Sequence, residues 1–243
     1  MNPSVAVTVE DAVMTVSLAR PEKANALSCD MSDGVVAAMD EARASDVRAI
    51  VLRGDGRHFC AGFDFGDFEA LTDGDLSLRF LQVEEMLQAV FHAPAPVLAL
   101  VQGRAIGAGA DLAAAAMRVV ATSKTSFQMP GPRFGVVLGT RRLAFRIGNV
   151  AARHIQIENR PVPAEEAKAL GLVDDLVEQE DWDETTATFA EAYTRLDLDV
   201  VRALADVTRP DTRDADMAAL ARSVAKPGIK ERIAAFRAAA AAR

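Results

Sequence analysis

Two short glycine-bearing segments, HFCAGFDF at 58–65 and GRAIGAGADL at 103–112, each follow an apolar run and hold the groups best suited to chemistry. Glycine lets a chain bend sharply and bring its backbone close to another group. Such turns therefore either join strand to helix or present main-chain N–H groups to an anion. A helix starting near 108 would turn its positive N-terminal end toward the second segment. Other chemistries lack their signals. The chain has no GxxxxGK[ST] and no GxSxG, and Gly107–Leu112 has Leu where a dinucleotide fold needs its third Gly or Ala. Cys29 and Cys60 form no CxxC, and His58, His92 and His154 form no HxxxH or HExxH pair. This predicts a reducing compartment and no structural zinc. No nucleophile–base pair stands out.

The elements that must carry these turns are legible from composition and period. The chain has 243 residues, 50% hydrophobic, 26% charged and only 5% aromatic, enough for a large core of Ala, Val and Leu in one large domain or two small ones. Its net charge of −8 argues against a nucleic-acid partner or an anionic membrane surface. There is no apolar run of membrane-spanning length and no leader pattern at the start, so a cytoplasmic protein is expected. Valine-rich runs at 5–9 and 13–18 predict a hairpin, and 49–52, 97–101 and 118–121 read as buried strands. Helices are predicted at 30–44, after Ser28 as cap, and at 76–92, where Phe80, Val83, Leu87 and Val90 share a face. A helical stretch LAAAAM precedes the strand at 118–121. From 140 onward the pattern is helical, at 140–147, 150–158, 163–170, 182–196, 198–208, 213–224 and 228–242, with GLVDDLV at 171–177 as a short strand or buried connector. Strands thus come early and helices late.

The two glycine turns, taken in order after RPEKANAL at 20–27, resemble the enoyl-CoA hydratase/isomerase (crotonase) superfamily, whose members show RPxxxNAL, FxAGxD and an [AI]xGGG-type turn. FQMPGPRFG from 127 and AEEAKALGLVD from 164 extend the likeness over nearly the whole chain. The resemblance implies an α/β fold: a crotonase-like spiral of ββα turns, taken as 1–190, with a helical C-terminal trimerisation region at 191–243. It implies an acyl-CoA thioester as substrate, coenzyme A being part of that substrate with no separate cofactor or metal, and a homotrimer or dimer of trimers. Carried over by motif, the N–H groups of Phe63 and Ala108 would form an oxyanion hole. Lys23 would meet the phosphates, Ala24 and Ala26 would touch coenzyme A through backbone atoms, and Ala61, Asp64 and Phe65 would lie beside pantetheine and adenine. Lys226, Lys230 and Phe236 would reach coenzyme A of an adjacent region or subunit.

The acid/base positions depart from the family pattern. Hydratases of this family carry two Glu residues; here the first position is Asp111 and the second is Gly131. Asp is shorter by a methylene, and a misplacement of about 1 Å can cost around a hundredfold in rate. The expectation is an isomerase or hydratase-like enzyme with Asp111 as its lone acid/base and little two-Glu hydration. Alternatives are another crotonase reaction, such as decarboxylation or C–C hydrolysis using Arg133 or an unidentified group, or a non-catalytic acyl-CoA-binding protein. Glu84, Glu85, Arg141 and Arg142 are further polar groups near the site by likeness.

Overall fold

In the computed structural model, which describes residues 4–241, the valine-rich start forms β1 (Val5–Glu10) and β2 (Val13–Leu18), paired antiparallel. The chain then runs through α1 (Cys29–Arg43), β3 (Ala49–Gly54), α2 (Asp73–Phe91), β4 (Val97–Val101), β5 (Arg104–Ile106), α3 (Ala108–Ala115), β6 (Arg118–Ala121) and β7 (Ser126–Gln128). It continues with α4 (Thr140–Ile147), α5 (Asn149–Glu158), β8 (Val162–Pro163), α6 (Ala164–Leu170), β9 (Asp175–Leu176), α7 (Trp182–Thr194), α8 (Leu198–Thr208), α9 (Arg213–Val224) and α10 (Ile229–Ala241). Among the described residues no helix is long and apolar enough to cross a membrane.

One sheet has the order β1-β2-β3-β4-β6-β9 and is parallel from β2 onward. Parallel strands need helical crossovers and are covered on both faces. Alternate residues therefore enter different cores. Ile50, Leu52, Val97, Ala99, Val101, Val119 and Ala121 join the main core with α1 and α2. Ala49, Val51, Leu98, Leu100 and Val120 face the other way and meet Trp182, Phe189 and Ala190 of α7. A second sheet, β5-β7-β8, holds the end of the GRAIGAGADL strand against the segment at 126–128.

The predicted elements from 140 onward agree with the structure to within one or two residues, and the connector at 171–177 contains the two-residue strand β9. Residue 242, assigned to the last helix from sequence, lies outside the described residues. The second sheet is the main difference: its strands are two or three residues long, too short to show a period of two. Helix α2 begins at Asp73 rather than 76 because Thr72 and Asp75 form a reciprocal capping box.

Phe189 is fully buried where α7 covers the sheet. Phe189→Ala should cost about 3–5 kcal/mol and lower the melting temperature by roughly 10 °C, read by thermal circular dichroism. A drop of under about 2 °C would mean that α7 is not a packed layer of the fold.

Candidate active site at two interlocked turns

The loop after β3 docks beside β5 through a parallel bridge between Cys60 and Ala105. Cys60 N–H donates to the Arg104 carbonyl at 3.2 Å, and Ile106 N–H donates to the Cys60 carbonyl at 3.0 Å. The approach depends on two missing side chains. A Cβ on Gly62, whose φ is +83°, would stand 2.3 Å from the Ile106 carbonyl oxygen, and one on Gly109 would stand 2.4 Å from that of Cys60. Each glycine thus yields to the other turn's backbone. The same built Cβ on Gly62 would lie 3.4 Å from the Ala108 nitrogen, so the two turns meet where α3 begins.

This junction decides which main-chain donors remain. Phe63 bridges Leu27 in parallel, and the two bonds of that bridge are Leu27 N–H to the Gly62 carbonyl (2.8 Å) and Asp64 N–H to the Leu27 carbonyl (3.1 Å). The N–H of Phe63 itself takes no part in it. Ala108 is the first residue of α3, where an N–H has no acceptor within the helix. Gly107 N–H is anchored on the Gln128 carbonyl at 2.7 Å, and Asp111 N–H returns to the Gly107 carbonyl at 3.0 Å. Phe63 and Ala108 both line one cavity of about 870 Å³.

Aromatic rings build much of the cavity wall. Phe63 stacks on Phe80 at 4.2 Å, with Phe65 against Phe63 at 4.9 Å and Phe134 against Phe236 at 5.1 Å. Phe236 belongs to α10, so the C-terminal helix walls the cavity of its own chain. Lys230 donates to the Leu71 carbonyl at 2.8 Å, and Lys226 does not line the cavity. Arg133 lines it but donates to the Ile157 and Glu158 carbonyls at the end of α5. Gly131 lines it too, and a Cβ there would lie 3.1 Å from the Val136 carbonyl oxygen.

Of the residues assigned to coenzyme A by likeness, Ala61 and Phe65 line this cavity, whereas Lys23, Ala24, Ala26 and Asp64 do not. Lys23 is exposed at the end of a 3-10 turn, Pro21–Lys23. The Ala24 carbonyl accepts from Ala61 N–H at 2.9 Å, and the Ala26 carbonyl accepts from Arg20 at 3.0 Å. Asp64 is paired with the same guanidinium at 2.9 Å. Two residues without an assigned role hold these segments together. Arg20 clamps both segments, and buried Asn25 donates to the carbonyls of Asp55, His58 and Phe59, at 2.9, 2.9 and 3.1 Å. Both were letters of RPxxxNAL, and that was the only signal for them.

Asp111 is buried and does not line the cavity. Its carboxyl lies beneath Gly139, where a Cβ would come within 2.2 Å of Oδ1, and that oxygen has no hydrogen-bond partner. Burial pushes its pKa up to about 8, against the pull of Arg142 and with a further push from Glu84. Cys60, under the first turn, is raised to about 12 by burial and is an inert packing group. Glu84 is not a free base: it is buried in an ion pair with Arg142, while Arg141 pairs with Asp216.

Residues 8–226 match the family model for enoyl-CoA hydratase/isomerase. The "probable enoyl-CoA hydratase" of Rhodobacter capsulatus is 36% identical over 178 residues, covering 72% of this chain and 69% of that protein. A crystal structure from Bordetella parapertussis, named for enoyl-CoA hydratase/isomerase, superposes with a TM-score of 0.95 at 42% identity, covering 97% of this chain and 98% of the other. An enoyl-CoA hydratase/isomerase from Xanthobacter autotrophicus Py2 gives 0.85 at 28%, covering 97% and 92%. With interlocked glycine turns, a parallel sheet feeding them and these likenesses over most of its length, the chain belongs to the enoyl-CoA hydratase/isomerase, or crotonase, family.

Proposed function

We propose that this protein binds an acyl thioester of coenzyme A, holds the thioester oxygen on the N–H groups of Phe63 and Ala108, and moves a proton of the resulting enolate with Asp111. The observation that carries this reading is the pair of main-chain amides, outside the bridge and helix bonds around them, on the wall of one cavity. Negative charge develops on the thioester oxygen when a proton leaves the α carbon, and one pre-positioned donor stabilises such charge by roughly 2.7–4 kcal/mol. The positive end of α3 adds to the same field. Phenylalanine walls and the alanines of α10 suit an apolar acyl chain.

Asp111 lies one helical turn beyond Ala108, on the same side of α3. It is the one acidic side chain at the two positions where hydratases of this family carry Glu, which favours α/γ proton transfer over two-carboxylate hydration. Leu138 lines the cavity and Gly139 covers the carboxyl, so transfer requires this segment to shift or a water to relay the proton. That placement also favours a second reading, an acyl-CoA-binding protein without turnover. Decarboxylation or C–C hydrolysis through Arg133 is less favoured, because that guanidinium already serves two carbonyls. Exposed Val200, Leu204 and Val207, spaced along one side of α8, accord with the trimer or dimer of trimers implied by the resemblance.

Asp111→Asn should reduce enoyl-CoA isomerisation by about a hundredfold or more while leaving affinity for a saturated acyl-CoA nearly intact; unchanged turnover would reject Asp111 as the proton carrier. The base form accumulates only as pH rises through about 8, so kcat/KM for isomerisation should climb with pH and level off above that value. A flat profile between pH 6 and 9 would contradict this. Folding supplies a control of known sign. The folded state holds the Asp111 proton more tightly than the unfolded chain, whose carboxyl has the ordinary value of 3.8, so this contribution is full below 3.8 and is lost as pH rises to about 8. Asn carries no such penalty, and the variant should gain melting temperature relative to the parent between pH 5 and 8; no relative gain would mean that the Asp111 carboxyl is not held neutral by burial.

A further inference from the structure

Among the described residues three charged side chains line the cavity: Arg133, Glu158 and Arg232. The Glu158 carboxylate is held by Arg160 at 3.0 Å. Arg133 is exposed and gives its two bonds to the Ile157 and Glu158 carbonyls. Arg232, on α10, is half-buried and pairs with no carboxylate among the described residues. Its Nη2 reaches the Ser223 and Lys226 carbonyls only at 3.5 and 3.3 Å, and its buried Nε has no hydrogen-bond partner. Gly135, which also lines the cavity, leaves room for the guanidinium: a Cβ there would stand 3.1 Å from Nη1. A cation held this way, among apolar walls and on neutral acceptors alone, is stabilised by an anion that accepts two parallel N–H bonds.

The position of Arg232 follows from the wall that begins at the second glycine turn. A Cβ on Gly107 would lie 3.7 Å from Pro130 Cδ, so that turn touches the start of the next segment. The Gly131 carbonyl accepts from Val136 N–H at 3.0 Å, closing a short turn with Gly131 at one end and Gly135 near the other. Val137 N–H then donates to the Ser223 hydroxyl at 3.1 Å, beside the carbonyl that Arg232 approaches. One turn therefore separates the guanidinium from Gly131, which stands where hydratases of this family carry their second Glu. Ala61 and Phe65, the lining residues assigned to coenzyme A, belong to the other loop.

We propose that Arg232 is a specificity-determining residue: it binds a carboxylate at the far end of the acyl chain, so the cavity selects thioesters of dicarboxylic acids. The inference rests on the proposed binding of an acyl-CoA and names its acyl class. With the thioester oxygen on two amides and the terminal carboxylate on Arg232, both ends of the acyl group are fixed. The methylenes between them meet Phe63, Phe80 and Phe134, which line the same cavity. Arginine suits this role because its planar guanidinium matches the two oxygens of a carboxylate.

The test measures affinities of matched thioesters for the whole protein by isothermal titration calorimetry. Glutaryl-, adipyl- and suberyl-CoA are each compared with the saturated monocarboxylic acyl-CoA of the same carbon count. At the length that spans from the amides to Arg232, the dicarboxylic thioester should bind about tenfold more tightly or better. Arg232→Gln should bring that ratio to about one. A ratio near one at every length overturns the proposal, and so does a ratio that Arg133→Gln abolishes and Arg232→Gln does not. If Arg232→Gln weakens both members of a pair equally, the guanidinium meets a phosphate of coenzyme A, which overturns it as well. The ratio in the parent protein needs no variant, so it remains a test even where Arg232→Gln does not fold. Failure of every acyl-CoA to bind overturns the proposed function and this inference with it; a monocarboxylic thioester that binds as well as its dicarboxylic partner at every length overturns this inference alone.

Discussion

Backbone against backbone is the contact on which the site depends. Gly62 meets the Ile106 carbonyl and Gly109 meets the Cys60 carbonyl at distances where any Cβ would collide, so the end of the first loop and the start of α3 share one junction. Everything around them serves this approach. The parallel strands β3 and β4 deliver the two loops side by side, β7 anchors Gly107 through the Gln128 carbonyl, and Asn25 and Arg20 fix the RPEKANAL loop behind Ala61 and Asp64. Phe63 and Ala108 reach the cavity wall as a consequence.

Electrostatics at the site are local rather than global. A net charge of −8 gives no general attraction for a phosphate-rich ligand. Two arginines are engaged by the protein itself: buried Arg142 serves Glu84 and Asp216, and exposed Arg133, on the cavity wall, serves the end of α5. In the proposed function a developing negative charge meets the pair of amides and the end of α3, and the proton is carried by Asp111, whose pKa burial under Gly139 raises. At Gly131 a Cβ would lie 3.1 Å from the Val136 carbonyl oxygen, a group that can accept a hydrogen bond and cannot deliver a proton.

The main sheet and the helices were legible because their periods are long enough to register. Ile50 and Leu52 against Ala49 and Val51 show the alternation of a strand buried on both faces, and Phe80, Val83, Leu87 and Val90 mark the buried face of α2. The short second sheet was not, since three residues carry no period. At the site, the glycine turns could be located from spacing alone, but not the collision distances that make Gly62 and Gly109 obligatory. Residue types also did not tell engaged groups from free ones. Lys230 and Asp64 look like ligand-binding charges and are held by the protein, and Asp111 sits at a family position yet under a loop. The partners that decide these cases, Leu71, Arg20 and Gly139, lie far away in sequence.

The most direct measurement is a crystal structure of the protein with a saturated acyl-CoA bound. The thioester oxygen should lie within about 3 Å of both the Phe63 and Ala108 nitrogens, with the acyl chain among the phenylalanines. A thioester lodged elsewhere, or an oxygen that meets neither amide, would contradict the account.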